Sequence, residues 1–185
     1  MGAALGSAPN GVLVTGSDGN LYGTTAGGGA GGFGTVFMIT PTGTLTTLAQ
    51  FTGTTGAVLG SSPKGGLVEL PDGSFMGSTT TGGSGGGSGT VFRITKAGVL
   101  TTLVNFTGTT GTAPGTTPQG TLVRGADGSY YGLCASGGMY GGGTIFKVTI
   151  EGFLTTLVHL SGVPTLGRLA QAADGTVFGT TVRGG

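Results

Sequence analysis

The acidic side chains are the residues of this sequence with the most obvious chemical potential. Four of the six are aspartates in Asp-Gly dipeptides, at Asp18, Asp72, Asp127 and Asp174. Recurring around an axis, such carboxylates could bind calcium or act as catalytic acids. Asp-Gly is, however, the strongest short signal for a β-hairpin turn, and Gly-Ser-Asp-Gly-Asn around Asp18 offers few of the oxygen ligands that calcium needs. We therefore predict turn formers, with no metal site and no cofactor.

The two remaining acidic residues are Glu69 and Glu151. An acid/base pair of the glycosidase type would need one of them or a turn aspartate. Glu151 falls in another predicted turn and is expected to face solvent. Glu69 belongs to a variable polar column, with one member in each repeat of the chain: Thr15, Glu69, Arg124 and Gln171. Such a column lines solvent or contacts a ligand, and it allows an ion pair between Glu69 and Arg124.

The single histidine, His159, and the single cysteine, Cys134, do not complete a catalytic group. No nucleophile, base and orienting residue can be assembled from them by spacing, so no catalytic residue is predicted. Cys134 replaces a threonine of the other repeats and is expected to be a small buried residue, whereas His159 replaces an amide at a strand end. The threonines are Thr25, Thr79 and Thr181, and the amides are Gln50 and Asn105.

Two neighbouring columns are mostly apolar or aromatic. One contains Tyr22, Met76, Tyr131 and Phe178, and the other contains Leu21, Phe75, Tyr130 and Val177. Tyrosines such as Tyr22 and Tyr131 can serve as flat platforms for sugar rings, which would make the chain a carbohydrate-binding module. Aromatic columns also form the core between stacked sheets, and this interpretation is the one we favour.

All these positions recur because the chain is a tandem repeat of about 54 residues. Thr-Val/Ile-Phe starts at Thr35, Thr90 and Thr144, and Leu-Thr-Thr-Leu starts at Leu45, Leu100 and Leu154. The predicted units span approximately 5–58, 59–113 and 114–163, followed by a half unit at 164–185, in one array without a domain boundary. Each full unit contains four strand-like runs, joined by an Asp-Gly turn, a glycine-rich loop and a second glycine-containing turn. Each unit is therefore predicted to be two β-hairpins.

The composition and the repeat together predict an all-β fold. The chain has 46 glycines and only 7% charged residues, which disfavours helices. Apolar residues occur on both faces of the predicted strands, as in Val91, Phe92 and Ile94, so each small sheet should be covered on both sides. Four strands in about 54 residues resemble the blade of a β-propeller. The alternative is an open β-solenoid or a trough-shaped stack of hairpins.

The repeat also carries a family resemblance. The segment from Asp18 to Leu48 reads Asp-Gly-Asn-Leu-Tyr-Gly-Thr-Thr, a glycine loop, and Gly-Thr-Val-Phe-Met-Ile-Thr-Pro-Thr-Gly-Thr-Leu-Thr-Thr-Leu. This pattern resembles the glycine-rich tandem repeats of bacterial proteins of the Gloeobacter and Verrucomicrobia type, and it covers nearly the whole chain. The resemblance implies a propeller-type fold and a secreted or surface-attached bacterial parent protein. It implies no established activity.

Charge and hydropathy narrow the range of partners. Seven basic and six acidic residues leave a formal charge of +1 without a basic run, so we expect no nucleic-acid partner. No run of 18 apolar residues indicates membrane insertion, and no segment of this chain has the pattern of a secretion signal. Three and a half units cannot close a ring alone, so the array is either an open arc or is completed by further copies. Because the last sheet lacks its second hairpin and unpaired strand edges recruit partners, we expect self-association through the terminal units.

The sequence therefore predicts a non-enzymatic repeat scaffold, structural or binding, with a glycan or a protein as its potential ligand. One alternative is a carbohydrate-binding module of the propeller type. Another is a fragment of a hydrolase or lyase, which the scarcity of carboxylates and histidine disfavours.

Overall fold

The computed structural model describes residues 5–161, 169–172 and 174–179. The described residues form strands and turns, with no helix. The first unit contains β1 (Gly6–Thr15), β2 (Leu21–Gly28), β3 (Thr35–Ile39) and β4 (Leu45–Gln50). The second contains β5 (Val68–Glu69), β6 (Phe75–Thr79), β7 (Thr90–Ile94) and β8 (Leu100–Asn105). The third contains β9 (Thr116–Arg124), β10 (Tyr130–Ser136), β11 (Thr144–Val148) and β12 (Leu154–His159), and β13 (Ala170–Gln171) and β14 (Val177–Phe178) follow.

Each full unit folds into one antiparallel sheet whose strand order follows the sequence. Strands β1 to β4 form sheet 1, β5 to β8 form sheet 2, β9 to β12 form sheet 3, and the β13–β14 hairpin forms sheet 4. This four-stranded meander is the arrangement of a propeller blade, so the predicted fold class is confirmed. Much of the half unit predicted at 164–185, including Thr181, lies outside the described residues.

The Asp-Gly turns are built by the aspartate side chains. In every unit the aspartate Oδ1 accepts a hydrogen bond from the backbone N–H two residues later, at 3.2 Å from Asn20, 3.1 Å from Ser74, 3.1 Å from Ser129 and 2.9 Å from Thr176. The glycine that follows the aspartate has a positive φ, for example 80° at Gly19. A side chain would be strained in this conformation, which explains the glycine. The interpretation of the four aspartates as turn formers is confirmed.

The sheets are packed face to face along the chain. We call the side of a sheet that points toward the previous unit its preceding face, and the other side its following face. In β6, Phe75 lies on the preceding face and joins the core shared with sheet 1, whereas Met76 lies on the following face and joins the core shared with sheet 3. Because strand side chains alternate between faces, both halves of the pattern are apolar. This is why the strands lack the polar side of a half-exposed sheet.

Aromatic residues from the connections between units complete each core. Phe51 follows β4 and is 1% exposed, and its ring makes an edge-to-face contact with Phe92 of sheet 2 at a centroid distance of 5.2 Å. Phe106 repeats this contact against Phe146 of sheet 3 at 5.1 Å. Each linker phenylalanine therefore closes the gap between its own sheet and the next one.

A β-bulge recurs in the last strand of every full unit. In sheet 2, Val91 pairs with Val104 but Phe92 pairs with Thr102, so Leu103 has no partner in β7. The same shift occurs between β3 and β4 and between β11 and β12. The extra residue directs both Leu103 and Val104 to the core shared with sheet 3. The bulge thus widens the apolar following face.

The backbone just before β5 closely approaches strand β9 of the next unit. A Cβ atom added to Gly65 would lie 2.1 Å from the carbonyl oxygen of Gly120 in the next unit. The carbonyl oxygen of Gly65 also accepts a hydrogen bond from the Thr24 hydroxyl at 3.1 Å. Glycine at this repeated position is required because the backbones meet there.

Candidate functional site

The charged residues gather at one edge of the sheets. The first and third strands of each meander run in the same direction. The Asp-Gly turns and the second hairpin turns therefore share an edge, which we call the turn edge. The glycine-rich loops and the linkers form the opposite loop edge. Among the described residues, every charged side chain except Lys64 lies at the turn edge. This edge is therefore the candidate site for polar chemistry.

Asp18 is held by hydrogen bonds within its own hairpin. Its Oδ2 accepts from the Tyr22 hydroxyl at 2.7 Å and from the Asn20 side-chain amide at 3.0 Å. These bonds, led by the one from Tyr22, lower the pKa of Asp18 to about 2. Burial of the Tyr22 ring and its bond to Asp18 raise the pKa of Tyr22 to about 12. At neutral pH the pair is therefore a carboxylate and a neutral phenol.

Glu69 of sheet 2 binds the first turn of sheet 1. Its two carboxylate oxygens each accept from the backbone N–H of Ser17 at 3.0 Å, and the Ser17 hydroxyl donates to Oε1 at 2.8 Å. The ammonium group of Lys96 lies 3.1 Å from the same carboxylate and also donates to the Ser17 hydroxyl at 2.8 Å. We call this group of three side chains the clasp. It joins two sheets at the turn edge.

The clasp keeps Glu69 ionised. Partial burial raises the pKa of Glu69, but the hydrogen bonds from Ser17 and the charge of Lys96 outweigh it, so the pKa lies below its ordinary value. The ion pair with Arg124 that the polar column allowed does not form, since Glu69 pairs with Lys96. Glu69 stands two residues after Leu67 on the preceding face and therefore points toward sheet 1, whereas Arg124 belongs to sheet 3.

The Asp-Gly turns of sheets 2 and 3 have their own charged partners. In sheet 2, the Arg93 guanidinium pairs with Asp72, and Arg93 Nε donates to the Ser74 hydroxyl at 2.9 Å. In sheet 3, Asp127 accepts from the Tyr131 hydroxyl at 3.0 Å and lies 3.5 Å from the Lys147 ammonium. The pKa of Asp72 is lowered first by its bond from Ser74, and that of Asp127 first by the backbone of Ser129.

An open polar cleft of about 560 Å³ lies between the first and second turns. Its walls are the residues Ser17, Pro71, Asp72, Gly73, Ser74, Thr95, Lys96 and Ala97. Its lining includes hydroxyl-bearing residues and Lys96, so its chemistry suits hydrogen bonding to a polar ligand. Within the described part of the chain, no group of three or more histidine, cysteine or acidic side chains could hold a metal ion.

The structure distributes the sequence-predicted ligand residues over all four sheets. Thr15 and Arg124 are exposed, and the Gln171 side chain donates to the Gly175 carbonyl at 3.0 Å. Tyr22 is 1% exposed, and its ring stacks on Phe75 at a centroid distance of 4.2 Å, as expected of a core residue. Tyr131 is partly buried. Of this set, Glu69 has the most polar contacts.

Sequence reasoning did not identify Ser17 and Lys96 as partners of Glu69. A signal was present, because Lys96 and Glu69 are both exceptional members of their columns and both belong to the second unit. The counterparts of Lys96 in the other units are Pro41 and Ile150. Two charges of opposite sign that appear in the same repeat indicate a contact that only this repeat makes.

His159 has a structural role at the loop edge. Its Nδ1 accepts a hydrogen bond from the backbone N–H of Met139, in the glycine-rich loop, at 3.1 Å. The amide oxygens of Gln50 and Asn105 accept from the corresponding loops of their units at 2.6 Å and 2.9 Å. All three residues anchor a loop, which confirms the predicted polar role at a strand end.

Cys134 takes the place of a buried threonine. It is 1% exposed and not in a disulfide. In the other full units the corresponding threonine hydroxyl bonds to a second one across the sheet, for example Thr79 to Thr90 at 2.8 Å. Burial raises the pKa of the Cys134 thiol to about 12, so the thiol is a poor nucleophile. The prediction of a small buried residue is confirmed.

One protein-family model matches the chain, the Gloeobacter/Verrucomicrobia repeat, over residues 1–120 and again over residues 59–185. No curated protein matches. None of the described residues belongs to a helix able to span a bilayer.

Three solved structures of similar fold are enzymes by their descriptions. A putative gluconolactonase is 19% identical, with a TM-score of 0.58, and the match covers 90% of this chain and 55% of that one. A virginiamycin B lyase from Staphylococcus aureus is 15% identical, with a TM-score of 0.53 and coverage of 92% and 54%. A streptogramin B lyase is 16% identical, with a TM-score of 0.51 and coverage of 96% and 55%. The chain thus spans about half the length of these propeller-like structures and shares their fold.

Proposed function

We propose that this chain, which belongs to the Gloeobacter/Verrucomicrobia repeat family, is a non-enzymatic repeat scaffold. Its sheets hold neighbouring turns in fixed register through apolar cores. The turn edge then presents one set of polar side chains per unit. In this role the fold supplies shape and spacing rather than reactive groups.

The state of the carboxyl groups carries this proposal. The chain has six acidic side chains, and all six have a pKa below the ordinary value. Hydrogen bonds account for the lowering in each case, and for the four turn aspartates these come from the hairpin itself. A catalytic acid needs a pKa raised toward neutral pH, as a desolvated carboxyl would have. Lowered values instead fit carboxylates that stabilise turns.

A turnover assay with matched variants tests the scaffold role. The purified chain is incubated with gluconolactone and with a streptogramin B, the substrates suggested by the descriptions of the similar structures. We expect no rate above that of buffer, and no change with Glu69→Gln or Asp18→Asn. Turnover that Glu69→Gln abolishes, at an unchanged thermal midpoint, would contradict a non-enzymatic role.

A fragment of a hydrolase or lyase is the second candidate, and the likeness to a gluconolactonase and to two lyases favours it. At 15–19% identity, this likeness supports the shared fold alone. The turnover assay separates the two candidates. A positive result would direct attention to Glu69 and Lys96, beside the open cleft.

Carbohydrate binding is a third candidate, because Tyr131 is only partly buried and lies beside the polar groups of the turn edge. Glycan-array binding that Tyr131→Ala abolishes would support it. Tyr140→Ala is the matched control, since Tyr140 is 63% exposed at the loop edge. Equal loss in both variants, or no binding at all, would leave the scaffold role without a glycan ligand.

We further propose a bacterial parent protein, in keeping with the family name, and a secreted or surface-attached location for it. A chain with little charge and one buried cysteine is compatible with an oxidising exterior. Fractionation of a bacterium that carries the gene, followed by immunodetection, tests this location. Recovery only from the cytosol would contradict it.

A further inference from the structure

The two ends of the sheet stack expose complementary apolar faces. A leucine occupies the same preceding-face position in every unit. It is 2% exposed at Leu67, 4% at Leu122 and 7% at Leu169, where the previous sheet covers it, but 52% exposed at Leu13. The preceding face of sheet 1 is therefore an apolar surface without the cover that the same surface has in the other units.

The following face of sheet 4 shows the converse. Phe178 belongs to the column of Tyr22 and Met76, which are 1% and 0% exposed beneath the next sheet. Phe178 itself is 58% exposed. One end of the stack thus presents an aromatic side chain at a position that normally covers a neighbour, and the other end presents the surface that such a side chain normally covers.

The contacts inside the chain show how these faces fit. Tyr22 on the following face of sheet 1 stacks on Phe75 on the preceding face of sheet 2. Met76 and Tyr130 belong to the same apolar cluster between sheets 2 and 3. By this pattern, Phe178 would contact Leu21, the counterpart of Phe75 in sheet 1. The surface that fits each end is therefore the opposite end of another copy.

We propose that two copies of this chain bind head to tail, with Phe178 of each copy packed against Leu13 and Leu21 of the other. Such an interface joins two different surfaces, so it either closes into a ring or extends into a filament. One copy covers 55% of the propeller-like gluconolactonase structure, and twice that share is slightly more than its whole length. Two copies thus fit a closed ring. This assembly goes beyond the scaffold role, which a monomer could also perform.

Light scattering of the full chain, combined with charge substitutions at each end, tests the assembly. The wild type should have twice the 17.7 kDa mass of one chain. Leu13→Asp and Phe178→Asp should each lower the mass to that of a monomer, because a carboxylate cannot be buried unpaired in the interface. Val99→Asp is the control, since Val99 is 63% exposed in the turn between β7 and β8. This variant should remain dimeric.

Mixing the two variants distinguishes a head-to-tail interface from a symmetric pairing of like ends. Leu13→Asp keeps the Phe178 end intact, and Phe178→Asp keeps the Leu13 end intact. An equimolar mixture should therefore form a one-to-one pair through these two ends. With only one intact interface, this pair should form at a higher protein concentration than the wild-type dimer. Rescue by mixing also excludes misfolding as the cause of the monomeric mass. A monomeric wild type, a ladder of larger species, or a dimer that Phe178→Asp leaves intact would each overturn the proposed ring.

Discussion

The ring of Tyr22 in sheet 1 lies over the ring of Phe75 in sheet 2, with their centroids 4.2 Å apart and their planes inclined by 33°. The same tyrosine donates its hydroxyl hydrogen bond to Asp18 in the turn of its own sheet. Tyr22 thus takes part both in the packing between two sheets and in the polar contacts of the turn edge. Substitutions in the apolar cores and at the turn edge separate these two contributions.

The linker phenylalanines should be among the most important residues for stability. Phe106 is fully buried in an edge-to-face contact with Phe146, so Phe106→Ala leaves a cavity between two sheets. We expect a loss of about 3–5 kcal/mol in the free energy of unfolding, measured by urea denaturation. The control is Phe153→Ala, because Phe153 is 74% exposed and should change stability by less than about 0.5 kcal/mol. Equal effects would contradict the packing role.

The stability of the chain should fall in acid partly through Asp18. Its folded pKa of about 2 lies below the ordinary value of 3.8, so the ionised carboxylate stabilises the folded state. This contribution is complete above pH 3.8 and is lost as the pH falls toward 2. Tyr22→Phe removes the largest cause of the lowering and should weaken the pH dependence of the thermal midpoint in this interval. A profile identical to wild type would contradict the assignment.

The ion pair between Glu69 and Lys96 within the clasp should contribute little to stability, and its contribution should depend on salt concentration. Both side chains are partly exposed, at 21% and 29%, so a double-mutant cycle with Glu69→Gln and Lys96→Met should give a coupling of about 1 kcal/mol or less. High salt should reduce it. The matched cycle of Glu69→Gln with Arg124→Met should give no coupling. A larger coupling to Arg124 than to Lys96 would contradict the observed pairing.

Cys134 should be unreactive in the folded chain. Its thiol is buried and its pKa is raised to about 12, so almost no thiolate is present at neutral pH. A colorimetric thiol reagent should therefore react only after denaturant is added. Cys134→Thr restores the residue of the other units and should keep the urea midpoint, whereas rapid labelling of the native protein would contradict the burial.

His159 should control the exchange of one loop amide. His159→Leu removes the acceptor for the Met139 N–H, so hydrogen exchange at Met139 should accelerate, while His159→Asn supplies an acceptor of the type that Asn105 provides in the second unit. Asn105→Leu should have the same effect on Ser84. Unchanged exchange in both leucine variants would exclude the anchoring role.

The repeat, its hairpins and its stacked sheets could be predicted because each depends on local chemistry that recurs. Asp72-Gly73 specifies a turn through one side chain and one positive φ, and alternation places Val91 and Phe92 on opposite faces. The bulge at Leu103 could not be predicted. Leu-Thr-Thr-Leu is compatible with regular pairing, and only the neighbouring sheet favours the extra residue.

The candidate site was less predictable because its contacts join different units. The sequence places Glu69 in a polar column, but the direction of its side chain depends on which face of β5 meets sheet 1. Alternation from Leu67 would have indicated that direction once the order of the sheets was known. The role of Ser17 depends on the position of its backbone N–H, which the residue type does not specify.

Titration of the six carboxyl groups by carbon-detected NMR is the most direct test of the scaffold role, since the state of these groups supports it. We expect all six to ionise below their ordinary pKa values, with Asp18 lowest, at about 2. A carboxyl group that titrates near neutral pH, as a catalytic acid does, would contradict a non-enzymatic scaffold.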